Sequence, residues 1–124
     1  MERFPGVFVS CMSTSYWEQD SGVGGETHPL CGADGVEAGL WRFTGASQTL
    51  EWKFSTRETI LVIEGFATIE FADGSQLELG PGDIASIPED SETTWHIMTP
   101  FKEFRITAKH SQATSRPLGA NSAV

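Results

Sequence analysis

From Glu37 onward the chain consists of short runs of β-branched and aromatic residues, each cut off by Gly, Pro or Asp before it can lengthen. This punctuation restricts the fold more than any other feature. The runs read as strands at 37–44, 49–54, 58–64, 66–71, 75–79, 83–87, 93–98 and 101–108, and no helical period passes through them. Ala72-Asp73-Gly74-Ser75 is a hairpin signal, because Asp-Gly tolerates the positive φ of a tight turn. Glu64-Gly65 and Gly80-Pro81-Gly82-Asp83 mark two further corners, and Pro88 ends a strand because it cannot donate to a ladder. Eight short strands at this spacing predict an all-β domain, a sandwich or a double-sheet barrel.

The chain has 124 residues, enough for one domain with a single core and too few for two. Residues 1–35 are rich in Ser, Gly and Thr and show no sustained period, so they read as an irregular arm with an edge strand near Val7–Val9. The barrel is expected over 36–110, and the small, polar stretch 111–124 reads as a flexible tail. Acidic residues outnumber basic ones by 17 to 8, which argues against nucleic acid and anionic membrane surfaces as partners. No apolar stretch of about 18 residues exists, and the N-terminus lacks the long apolar region of a signal peptide, so a cytoplasmic location is the default expectation. Cys11 and Cys31 have no CxxC partner and no histidine at zinc spacing, so they read as reduced thiols, or else as a disulfide tying down the N-terminal segment, rather than a structural zinc site.

Two spacings inside the barrel carry a resemblance. Glu58 is followed by six residues and then Gly65, and Gly82 by five residues and then Pro88. Both match the two motifs of cupins, the small jelly-roll barrels built on a double-stranded β-helix. The stretch EAGLWRF…LEWKFSTRETILVIEGFATIEFADGSQLELGPGDIASIPEDSETTW…FKEFRI resembles more specifically the small single-domain cupins related to (S)-ureidoglycine aminohydrolase. The likeness spans about residues 36 to 107 and implies the fold; many members of that group have no assigned activity.

A metal-binding cupin carries His-x-His, a gap of three or four residues, and Glu in its first motif, with one more His in the second. With the three-residue gap the two histidine places fall on Trp52 and Phe54; with the four-residue gap they fall on Glu51 and Lys53. Aromatic-x-aromatic before the Glu is the pattern of the small relatives, which favours the first register. The fourth place is Thr93, or its neighbour Glu92 if the turn is one residue shorter. Glu58 with at most Glu92 is a poor donor set for zinc, iron or nickel and at best a weak one for a hard divalent cation. No metal and no cofactor are therefore expected. Side chains alternate along a strand, so with Thr93 inward, Trp95 and Ile97 also turn inward and His96 turns out. His28 and His110 read as solvated residues. The relatives carry an Arg-Lys-x-Tyr run on the last strand, where this chain has Lys102-Glu103-Phe104-Arg105, so no role is carried over to Glu103 or Arg105.

The inner set that remains is Trp52, Phe54, Glu58, Thr93 and Trp95, with Trp41 nearby: an aromatic cup around one carboxylate. Arg42, Lys53, Arg57, Lys102 and Arg105 are the available partners for Glu58. Two function classes stay open. One is a small-molecule-binding cupin with a degenerate metal site, its ligand held by Trp41, Trp52, Phe54, Glu58, Thr93 and Trp95. The other is a small cupin enzyme, a ureide or amide hydrolase or an isomerase, with Glu58 as acid or base. Thr59, Leu61 and Ile63 give the same strand an apolar second face, and covering it predicts a homodimer.

Overall fold

A computed structural model describes residues 1–108 of the chain. The tail read at 111–124, and His110 before it, lie outside the described residues. The fold is all-β, and every regular element among the described residues is a strand. A ribbon of β1 (Glu2–Phe4) and β2 (Val7–Phe8) comes first, then β3 (Glu18–Gln19), β4 (Glu26–Ala33), β5 (Val36–Phe43) and β6 (Gln48–Lys53). Then follow β7 (Glu58–Phe71), β8 (Gln76–Leu79), β9 (Ile84–Ile87) and β10 (Glu92–Ala108).

Two long strands organise the barrel. The second half of β7 pairs with β8 and with the first half of β10, which also takes β6. The first half of β7 pairs with β9 and with the second half of β10, which also takes β5 and, beyond it, β4. The chain thus forms two antiparallel sheets hinged on strands that run through both, the jelly-roll arrangement. The sequence reading had cut each long strand in two, at Glu64-Gly65 and at Thr99-Pro100. The residues there bend the strand rather than end it: the register slips between Met98 and Glu103, and pairing resumes beyond.

Burial alternates along both long strands. Glu58, Ile60 and Val62 are buried while Thr59, Leu61 and Ile63 are half-buried, and Thr93, Trp95 and Ile97 are buried ahead of Phe101 and Glu103. The inner faces of the two sheets meet in one core that includes Phe43, Phe54, Ile69, Leu79 and Ile87. A fully buried side chain of this size stabilises the fold by ~1.5–3 kcal/mol.

The segment read as an irregular arm contains an eight-residue strand. β4 pairs with β5 through a turn at Asp34 and Gly35, both at positive φ. Its sequence, Glu-Thr-His-Pro-Leu-Cys-Gly-Ala, has no alternation because a bulge falls between Pro29 and Cys31. Residues 10–17 fold over its outer side. His28, read as a solvated residue, is instead buried: Nε2 lies 2.6 Å from Ser10 Oγ and Nδ1 lies 2.8 Å from the carbonyl of Tyr16. The rings of Tyr16 and Trp17 flank it. Cys11 and Cys31 are free thiols.

Candidate functional site

The chemistry of the barrel gathers on neighbouring rungs of β5, β10 and β7. Trp41, Glu103 and Val62 lie side by side on one rung, and Gly39, Arg105 and Ile60 on the inward rung two residues along. Glu58 follows opposite Thr107. The facing sheet contributes Leu50 and Trp52 from β6 and Trp95 from β10, where Trp95 pairs with Leu50 and Thr93 with Trp52. Trp41, Leu50, Trp52, Glu58, Trp95, Glu103 and Arg105, with Val23, line a narrow space of about 30 Å³. Trp52, Glu58 and Arg105 also line a larger outer cleft of about 720 Å³, bounded by β4, β5 and the turn at Ser55 and Thr56. Val23 borders both spaces.

The cup contains two carboxyl groups, not one. Glu103 retains 3% of its surface, and its Oε1 has no hydrogen-bond partner among the described residues. Its pKa is raised to about 8, chiefly by burial and further by the Glu58 charge, with the Arg105 guanidinium acting against the shift. Burial likewise raises the pKa of Glu58, with Arg105 acting against the shift. Of the five cations considered for Glu58 from the sequence, Arg105 is the one that acts on it electrostatically. Arg42 is engaged elsewhere, 2.8 Å from Glu26 and stacked 3.9 Å over the Trp17 ring.

The structure separates the residues nominated from sequence into two groups. Trp41, Trp52, Glu58 and Trp95 line the narrow space. Phe54 is buried beside it, its ring 6.4 Å from those of Trp52 and Trp95, and supports them from within the core. Thr93 is also buried, and its hydroxyl is fully engaged. It donates to the Trp52 carbonyl at 2.7 Å and accepts from Trp95 Nε1 at 3.1 Å. The hydroxyl therefore ties together two of the tryptophans that face the cup. Glu103, Arg105, Val23 and Leu50 were not nominated as cup residues. Alternation would have found the first two: with Phe101 inward, positions 103 and 105 must follow.

The family's metal-binding pattern does not fit these side chains. Its places are held by Trp52, Phe54, Glu58 and Thr93, one carboxylate with no imidazole or thiolate. Among the described residues no three or more His, Cys, Asp or Glu side chains come together as a metal-holding group. Glu92 is exposed, on the rung opposite Lys53. His96 turns to the outside, where Nδ1 meets Thr49 Oγ1 at 3.2 Å and Nε2 lies 3.4 Å from Glu70 Oε2. Glu58 and Glu103 beside a guanidinium suit neither zinc, iron nor nickel.

Comparison with known proteins agrees with this architecture. The family model described as an EutQ-like cupin domain matches residues 32–110. Among solved structures, a cupin superfamily protein from Desulfitobacterium hafniense is similar with a TM-score of 0.59 and 24% identity, over 68% of this chain and 76% of that one. A protein of unknown function from Rhizobium leguminosarum bv. viciae is similar with a TM-score of 0.61 and 20% identity, over 68% and 80%. The EutQ protein of Clostridium difficile is similar with a TM-score of 0.60 and 19% identity, over 71% and 70%. No curated protein matches the chain. No helix is long and apolar enough to cross a membrane among the described residues.

Proposed function

The chain belongs to the EutQ-like cupin domain family, and from that premise we propose that its barrel binds a small polar molecule in the Glu58–Glu103–Arg105 cup without a resident transition metal. The observation that carries this reading is Glu103, whose buried Oε1 has no hydrogen-bond partner among the described residues and whose side chain lines a space walled by Trp41, Trp52 and Trp95. Leaving such a group unpaired costs ~1–3 kcal/mol or more, so a core serving only stability would favour an apolar residue there. Apolar walls with a few convergent polar groups are the usual make-up of a small-molecule site. The outer cleft provides volume for the rest of a ligand. The finer likeness to the ureidoglycine aminohydrolase cupins rests on sequence motifs alone, and it supports keeping amides and ureides among the molecules tried.

A second reading, a small hydrolase or isomerase, is favoured by one feature: two carboxyls of unequal surroundings share one cup. Glu103, the more deeply buried, keeps its proton at neutral pH and can give it up as a general acid, while Glu58 serves as the base.

Thermal-shift titration with amines, amides, ureides, amino acids and sugars tests the binding reading, using the full chain, Glu58→Gln and Glu103→Gln. The expected result is stabilisation by one class, undiminished by EDTA and weakened at least ~10-fold in affinity in both variants. Ligands that shift all three proteins alike would sink the cup as the site. Shifts abolished by EDTA would overturn the metal-free part.

A further inference from the structure

The innermost part of the cup restricts what can enter it. It is small, about 30 Å³ against about 720 Å³ for the outer cleft, so a head group enters it while the bulk of a ligand stays in the cleft. Two of its three indoles present ring surface and no free donor. Trp41 Nε1 donates to the Gly24 carbonyl at 3.0 Å, and Trp95 Nε1 is bound to Thr93 Oγ1. Ring faces carry negative potential and attract cations. The unpaired atom among the lining residues, Glu103 Oε1, is an acceptor. Two carboxyl groups share the space with one guanidinium, so Glu103, which holds its proton in the free protein, gains a counter-charge for ionisation only when a further cation enters.

Resting on the reading of this cup as a ligand site, we propose that it takes the primary ammonium head of a ligand, held among Glu58, Glu103 and the indole faces, with the remainder of the molecule in the outer cleft. An –NH₃⁺ group is compact, brings the positive charge that lets Glu103 ionise, and offers three donors for the carboxyl oxygens. A trimethylated ammonium has no N–H to donate to the carboxyl oxygens. A carboxylate head could pair with Arg105 but would set a third carboxyl group and its negative charge beside Glu58 and Glu103. A divalent cation would overshoot the charge and find two carboxylates and a competing guanidinium.

The test titrates propylammonium chloride, 1-propanol and sodium propionate into the full chain, following tryptophan fluorescence and the indole N–H resonances. Propylammonium is expected to move the resonances of Trp41 and Trp95 and to bind at least ~10-fold more tightly than 1-propanol, with propionate inert. Glu103→Gln is expected to remove that preference. The wild-type series is decisive even if the variant does not fold. Equal binding of the alcohol and the amine, tighter binding of propionate, or a preference that survives Glu103→Gln overturns the ammonium assignment and leaves the small-molecule reading standing. Silence of both indole resonances to all three probes also overturns the assignment. The broader reading then falls only if the wider screen gives no ligand sensitive to Glu58→Gln and Glu103→Gln.

Discussion

Glu103 makes the protein's stability depend on pH in a direction opposite to that of most acidic residues. The ordinary pKa of the group is 4.5, and in the fold it is raised to about 8. The charged groups that act on it are Glu58 across the sheet on β7 and Arg105 on its own strand. β5 brings Trp41 beside it and, further out along the cleft, Glu37. Below the ordinary pKa both folded and unfolded chains hold the proton. As pH rises from 4.5 toward 8 the unfolded chain releases it first, the folded chain binds more protons, and the folding free energy weakens across that window. Glu58, also raised, acts in the same direction. Glu103→Gln removes the larger contribution. Calorimetry from pH ~5 to pH ~9 is expected to show the variant gaining on the wild type as pH rises, by more than ~4 °C in Tm at the alkaline end. Parallel curves would mean that Glu103 ionises freely in the fold. The sequence did not mark this residue, because Lys102-Glu103-Phe104-Arg105 reads as a polar edge unless the parity of Phe101 is carried forward. Glu58 was legible because a motif spacing fixes it.

At the scale of the elements, the fold depends on how β7 and β10 bend together where they pass from one sheet to the other. Gly65 stands in that bend at a φ of 84°. A Cβ there would collide with the Pro100 carbonyl oxygen and lie 2.9 Å from the Met98 carbonyl oxygen and the Phe101 Cα. Gly65→Ala would therefore have to push apart the backbones of the two central strands. Gly74 separates the two causes of strain, since it has a similar φ of 93° with nothing near its missing Cβ. Denaturant unfolding is expected to give a loss of ~1 kcal/mol for Gly74→Ala, from conformation alone, and more than ~3 kcal/mol for Gly65→Ala. Equal losses would show that the β7–β10 crossing gives way without cost. The turn signal at Glu64-Gly65 was legible from sequence, but its consequence was not, because only the tertiary partner decides whether a glycine ends a strand or bends it. β4 escaped notice for a related reason. Pro29 and the bulge beside it erase the two-residue period, and the one local clue was Asp34-Gly35, the same pair of residues that announced the 73–74 hairpin.

Across the whole molecule the outer face of the larger sheet is only half covered. One apolar row crosses four strands, with Leu40, Phe104, Leu61 and Ile84 side by side on one rung of β5, β10, β7 and β9. Residues 10–17 cover the β5 end of this face, where Trp17 stacks on Arg42 and Lys102 Nζ donates to the Met12 carbonyl. Burial declines along the row away from them: Leu40 is buried, Phe104 and Leu61 are half-buried, and Ile84 is 72% exposed. Phe66 and Met98, 56% and 61% exposed, add apolar surface elsewhere on β7 and β10. We propose that a second copy of the chain covers the open end of the row. A two-fold arrangement would set each Ile84–Leu61–Phe104 row against its equivalent, so that one apolar surface serves both partners. The formal net charge of −9 opposes close approach, so apolar burial has to outweigh repulsion, and salt should tighten the pair. Sedimentation velocity is expected to show a dimer for the wild type, favoured further by added salt, and a folded monomer for Ile84→Asp, whose side chain is exposed within one chain and so perturbs no internal packing. A wild-type monomer at micromolar concentration, or a dimer indifferent to Ile84→Asp, would remove this face as the interface. The cup lies on the opposite side of the same sheet, so the monomeric variant should keep its ligand affinity.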